Sequence, residues 1–432
     1  MDSTGQSPPP PAGGDGAPPP GAGGVPRGLS LGRTFSALRH RNYRLFFAGQ
    51  LVSLIGTWMQ NVAQAWLVYE LTNSPFKLGL VSFCSGVPAL VFSLWAGVVA
   101  DRMPKRRLLL MTQTGMMTLA FLLAADVFLG TVAWWHIACL AFLLGLANTF
   151  DAPVRQAFVV EMVGRAELMN AIALNSAMFN SARIIGPALA GITLATMGAK
   201  WCFVLNGLSF LAVIAGLALM DVKPYVGAPA GESTLRQMRD GVGYIWRHPT
   251  VRPLITVVAV SNLFSFGYLA LLPAFAQDVL RVGSVGYGFM STAVGAGALA
   301  GALIMATLGD HGRKGLMLTA GNLVFPAMVV AVALSRSFHL TLGFLVVAGL
   351  GFMTQNAMAN ILVQTTVPDG LRGRVMSVYM MVFLGFYPIG ALIAGTVAER
   401  WGAPAGAAFG GGVGLAYGLY LLWRYPEIRA LR

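Results

Sequence analysis

The chain has 432 residues, of which 56% are hydrophobic and only 10% charged, and its formal net charge is +13. Soluble domains carry about 25% charged residues, so a water-soluble globule is excluded, and the apolar residues fall in runs of the roughly 20 residues that a bilayer core demands. The excess of Lys and Arg does not indicate nucleic-acid binding, because its placement is that of an insertion signal.

In chain order, residues 1–34 are Pro, Gly and Ala with little else, including Pro8 to Pro11 and Pro18 to Pro20. Such a tail buries no apolar area and is expected to be disordered in the cytoplasm. It lacks the apolar core of a signal peptide, so the first span is expected to act as its own insertion signal.

Twelve apolar spans follow, near 45–69, 78–100, 108–129, 134–160, 168–197, 201–220, 253–277, 285–309, 315–335, 339–366, 373–398 and 404–424. They divide the chain into an N-terminal six-span half (35–220), a linker (221–252), a C-terminal six-span half (253–425) and a short cytoplasmic tail (426–432). With the N-terminus in the cytoplasm, 23 of the 29 Lys and Arg lie inside, 5 outside and one, Arg183, within the membrane. Both termini are therefore expected inside, with anionic lipid in contact with the basic surface. Between spans six and seven, Leu235, Met238, Val242, Ile245 and Trp246 recur at helical spacing, with Arg236, Arg239 and Arg247 on other faces. That pattern predicts an amphipathic helix on the inner membrane surface. Cys84, Cys139 and Cys202 lie far apart in apolar stretches, so neither a disulfide framework nor a metal site is expected.

The halves repeat one another at an offset of about 204–209. Asp101-Arg102-Met103-Pro104-Lys105-Arg106, between spans two and three, corresponds to Asp310-His311-Gly312-Arg313-Lys314 between spans eight and nine. Gly186-Pro187 of span five is echoed by Pro388 and Gly390 of span eleven. A six-plus-six duplication around a central site is a transporter architecture.

The segment from Gly97 through Asp101, Arg102, Lys105 and Arg106 resembles the signature loop of the major facilitator superfamily, with Pro104 in place of a usual glycine. Leu45 to Gln50, Ala65 to Tyr69, Asp151 to Gln156 and Leu371 to Ser377 are similar to the branch of enterobactin exporters and macrolide efflux proteins. The resemblance implies an all-α membrane protein of twelve helices in two pseudo-symmetric halves. It also implies a rocker-switch exporter of amphiphilic solutes coupled to the proton gradient, with no other cofactor. It further implies that the signature-loop aspartate faces the start of span eleven, here Arg372 to Arg374, and locks the outward state. Gly186, Pro187 and Gly191 look like the antiporter motif of the fifth helix; the same residues also suit ordinary tight helix packing.

Arg183 is the one basic residue at membrane depth, about 22 Å above the inner end of span five, where an unpaired charge is costly. Gln60, Asn61 and Gln64 of span one reach the same height. Arg183 either meets substrate there or ties span five to span one. Asp151 lies about 25 Å down span four, with Arg155 four residues on at ion-pair spacing. It is a candidate proton carrier or, by the rival and slightly favoured reading, part of a purely structural cytoplasmic latch with Asp101, Arg102 and Arg106. Asn356, Asn360 and Gln364 form a stripe on span ten, which Asn262 and Asn148 are expected to join. Together with 21 Met, these amides suggest a roomy cavity for amphiphilic solutes, or else hydrogen bonds between helices.

A membrane enzyme finds no support: there is no GxxxxGK[ST] or HExxH motif, and His40, His136, His248, His311 and His339 all lie outside span centres. A permease subunit, which needs a separate ATPase, and an importer of lipid-like or siderophore solutes remain as alternatives. The two halves complete a pathway, so a monomer is expected, and the Ala, Gly and Arg content points to a bacterial cytoplasmic membrane.

Overall fold

The computed structural model of the protein describes residues 35–221, 234–308 and 313–431. Its long helices are α1 (Arg41–Thr72), α2 (Pro75–Arg102), α3 (Lys105–Phe128), α4 (Trp134–Val163), α5 (Leu168–Thr196) and α6 (Ala199–Ala218). After them come α7 (Thr234–Arg247), α8 (Val251–Val279), α9 (Gly283–Leu308), α10 (Lys314–Leu334), α11 (Phe338–Thr366), α12 (Asp369–Trp401) and α13 (Ala403–Arg424). Among the described residues, ten of these helices are long and apolar enough to cross a membrane. Helices α1 and α5, 32 and 29 residues long, are of the same length but more polar. In α1, Gln50, Gln60 and Gln64 are buried in protein, which is where polar groups in a membrane bundle are tolerated.

The helix ends follow local rules. Asn73 closes α1 in the left-handed region at φ 46°, a conformation Asn adopts more readily than most residues. Ser74 then caps α2, its side chain accepting from the Lys77 N–H, with Pro75 in the first turn, where a missing N–H costs nothing. Helix α8 is irregular. It is α-helical over Val251–Val260, wider-wound over Ser261–Ser265, tightened over Phe266–Leu271 and wider-wound again over Phe275–Val279. Pro273 within it removes a backbone donor, and such wide turns concentrate at functional places.

Contacts within the two halves repeat. In the first, α1 packs on α5 and α6, α2 on α4, and α3 on α4 and α6; in the second, α8 packs on α12 and α13, α9 on α11, and α10 on α11 and α13. The halves meet along two equivalent seams, α2 with α12 and α5 with α9. A methyl on Gly86 would stand 1.9 Å from Pro388 Cγ on one seam, and a methyl on Gly288 would stand 2.7 Å from the Pro187 carbonyl oxygen on the other. Glycine facing proline on both seams lets the backbones approach closely.

Helix α7 forms where amphipathicity predicts it, but it does more than lie on a surface. It docks on the start of α12: Asp240 pairs with Arg374 at 2.8 Å, and Ile245 is buried in the second half. Trp246 on the same helix stays 60% exposed, with Arg252 over its ring.

Candidate functional site

A chamber of about 350 Å³ opens where the halves meet, lined by α1, α2, α5, α8, α9 and α12. Trp58, Phe266, Tyr287 and Tyr387 give it aromatic walls, and Asn61, Gln64, Ser82, Ser85, Ser291 and Arg183 supply its polar groups. Arg183 is the one charged side chain among its described lining. Its guanidinium lies over the Trp58 ring, 5.8 Å from the centroid, within the range of a cation–π contact. Tyr268, from the opposite half, lies in α8 between the lining residues Phe266 and Leu269. Tyr268 is 1% exposed, and its hydroxyl has no hydrogen-bond partner among the described residues.

The end of the bundle that carries Asn73, Asp278 and Glu399 is closed by contacts between the halves. Tyr69 of α1 donates to the Asp278 carboxylate of α8. Glu399 of α12 accepts from the Ser74 hydroxyl at 2.8 Å and the Phe76 N–H at 3.0 Å. A carboxylate at the first turn of a helix satisfies an orphan donor and suits the positive end of the helix dipole. Trp66 of α1 also stacks on Tyr287 of α9, and on the α5–α9 seam the Thr292 hydroxyl donates to the Ile184 carbonyl at 3.1 Å.

A family model described as transmembrane secretion effector matches residues 32–430. The chain belongs to the transmembrane secretion effector family. It is 26% identical to the staphyloferrin A transporter of Staphylococcus aureus, over 83% of this chain and 90% of the relative. It is 27% identical to the multidrug efflux pump Tap of Mycolicibacterium fortuitum, over 84% of this chain and 90% of the relative. A solved structure of a POT family transporter with a thioalcohol-conjugated peptide superposes with a TM-score of 0.69 at 12% identity, over 90% of this chain and 96% of that one. That likeness shows the fold, the all-α transporter architecture of two six-helix halves.

Within the secretion effector's chamber the structure brings together three of the polar residues singled out from the sequence, Asn61, Gln64 and Arg183. Gln60 needs correcting. One residue before Asn61, it turns about 100° around α1 and its side-chain oxygen accepts from Asn206 of α6 at 2.7 Å, so it ties two helices of one half. The amide stripe is also not part of this chamber's wall. The side chains of Asn148, Asn262 and Asn356 each donate to a carbonyl four residues back, at 3.1, 2.9 and 2.9 Å, and Asn360 accepts from Gln364 at 2.6 Å. Nor does methionine line the chamber; Met238, Met380 and Met381 line a separate groove between α2 and α12.

Asp151 is 1% exposed and bonded entirely inside the first half. Its carboxylate accepts from Thr112 at 2.8 Å and Gln113 at 2.9 Å, and Arg155 stands 3.4 Å away with 26% of its side chain exposed. The fifth-helix motif divides its work. Gly186 packs on Trp58 and Ile55 of α1, whereas Pro187 and Gly191 face Gly288 and Ser284 of α9 across the seam.

Near the signature loop, Lys105 pairs with Glu161, and Arg106 donates to the carbonyls of Leu217 and Ala218 at 2.7 and 2.8 Å, capping the end of α6. Arg372 pairs with Asp369 at 2.6 Å and donates to the Gln364 carbonyl, while Arg374 holds Asp240. The side chain of Asp101 and all of Asp310 lie outside the described residues. A methyl on Gly97 would meet nothing within 4 Å; Arg102 and Arg313 are exposed, and Lys314 opens α10. Tyr69, Tyr268, Tyr287, Tyr387, Asp278 and Glu399 were not singled out by sequence. The Tyr287–Ser291 spacing of four and the Tyr387-Pro388 pair opposite Gly186-Pro187 were the signals available.

Proposed function

We propose that this secretion effector exports amphiphilic small molecules, such as drugs, siderophores or secondary metabolites, from a bacterial cytoplasm in exchange for protons. On this reading it is a monomer in the inner membrane, with no enzymatic role and no cofactor beyond the proton gradient. Both termini and the basic helix ends face the cytoplasm, in contact with anionic lipid. The observation that carries the reading is the chamber itself. It lies between two halves joined on narrow glycine–proline seams, and at one end contacts between the halves close it. Rocking one half against the other breaks such contacts and moves the opening from one side to the other. Two relatives named as a multidrug efflux pump and a staphyloferrin A transporter support the substrate range.

Asp151 is assigned as a latch inside the first half rather than as the proton carrier, because all its described bonds stay within that half. The test is uptake into everted vesicles of a mixed panel of lipophilic dyes, macrolides and catecholates under an imposed proton gradient. Uptake abolished by a protonophore is the expected result. Accumulation in right-side-out vesicles, with none in everted ones, would reverse the direction and make the protein an importer.

A further inference from the structure

Other arginines in this structure pair with carboxylates, as Arg155, Arg372 and Arg374 do, or spend their donors on the backbone. Arg106 donates to two carbonyls at the end of α6, and Arg336 donates to those of Ala333 and Ser335 at 3.1 and 2.9 Å. Arg183 does neither. Among the described residues its guanidinium has no hydrogen bond and no ion pair, only the Trp58 face. No Asp or Glu is among the described residues that line its chamber. A cation held at membrane depth without a counter-charge is expensive, and the cost is relieved by pairing or by water.

The groups beside it include amides that can turn their NH₂ donors toward an acceptor. The amides of Asn61 and Gln64 line the same wall and have no hydrogen-bond partner among the described residues. The buried Tyr268 hydroxyl is likewise unpartnered. A guanidinium offers a planar fork of N–H groups that fits a carboxylate in two parallel bonds, and an amide NH₂ adds a third. An ammonium ligand is repelled by this arrangement, and a neutral ligand can accept a hydrogen bond but leaves the guanidinium without a counter-charge. The remaining wall, with Phe266, Tyr287 and Tyr387, suits an apolar or aromatic body.

We propose that the chamber is an anion-accepting subsite: it takes the carboxylate, or a like monoanionic oxyacid group, of an amphiphilic solute on Arg183, with Asn61 and Gln64 donating beside it. This narrows the export reading above to acidic amphiphiles, and so rests on that reading for its physiological meaning but not for its chemistry.

The experiment uses the full chain in nanodiscs of phosphatidylcholine, with three variants and isosteric probe pairs. Binding of 2-naphthoate and biphenyl-4-carboxylate, each against its primary amide, is measured by tryptophan fluorescence and by calorimetry. Wild type is expected to favour acid over amide by about tenfold or more, as a charge-assisted pair in a desolvated site does. Arg183→Gln is expected to bind acid and amide alike, and Arg183→Lys to keep a reduced preference because the charge remains and the fork does not. Equal affinities in wild type, a preference that survives Arg183→Gln, or no binding of either probe by monodisperse protein each overturns the proposal. Nanodiscs containing phosphatidylglycerol separate a solute from a lipid headgroup: if the anionic lipid displaces the acid competitively, the chamber is a lipid site and the proposed solute subsite is overturned. In proteoliposomes the two readings part. Gradient-driven uptake of neutral or cationic panel members without acid preference overturns the subsite and leaves export standing, and acid binding without gradient-driven movement does the reverse.

Discussion

At the residue scale, burial and pairing separate Asp151 from Arg183. Asp151 is enclosed by donors of its own half, so removing the carboxylate strands the Gln113 amide in a dry place, while Thr112 keeps the Leu109 carbonyl. Asp151→Ala is expected to cost about 1–3 kcal/mol, seen as a lower unfolding temperature in detergent, whereas Asp151→Asn keeps an acceptor and costs less. Neither is expected to move the pH profile of transport; a shifted profile in Asp151→Asn, with protein level and unfolding temperature unchanged, would return the proton to this residue. The Asp151–Arg155 pair was legible from a spacing of four, and Arg183, Asn61 and Gln64 from depth alone. Gln60 was misjudged because depth says nothing about direction around a helix. Tyr268 and Tyr387 escaped notice because tyrosine inside an apolar run looks like core until its hydroxyl is seen without a partner or beside one.

At the scale of single elements, the seams depend on absent side chains. Pro388 stands where a side chain on Gly86 would go, and its ring cannot swing aside. Gly86→Val is expected to push α2 off α12 at an overpacking cost of about 1–3 kcal/mol. Transport in vesicles should fall to a small fraction of wild type while the protein still extracts as a monodisperse species. Gly115→Val is the control, since nothing lies within 4 Å of a Cβ placed there; equal rates for the two variants would remove the seam from the mechanism. Helix positions were legible throughout, because span length and the Lys and Arg at the ends fix them. The irregular winding of α8 was not. Pro273 hints at it, but the wide turn at Ser261–Ser265 comes before that proline and has no comparable mark in the sequence.

For the whole molecule, the question is what holds one end shut. The duplication was readable from the paired loops and the glycine–proline echoes, yet the seal pairs Tyr69 with Asp278, unlike side chains at equivalent positions of the two halves, and Glu399 with the first turn of α2, and a match of like residues does not reveal such pairings. Hydrogen bonds that involve a charged group contribute about 1.5–3 kcal/mol each. Losing one of them therefore shifts a two-state equilibrium by roughly tenfold or more. Glu399→Ala removes the acceptor for both Ser74 and Phe76, and Glu399→Gln keeps an acceptor without the charge. Spin labels at Leu129 and Leu334, exposed on opposite halves at the sealed end, would report the opening by pulsed dipolar spectroscopy. The labels go into a background of Cys84→Ser, Cys139→Ser and Cys202→Ala. Wild type is expected to show one short population, Glu399→Gln a minor longer one, and Glu399→Ala a longer one that grows further with Tyr69→Phe. The order matters more than the amounts, because it follows from counting which bonds each substitution leaves. Identical distributions in all four proteins would mean that the packed seams alone, and not these carboxylates, keep that end closed.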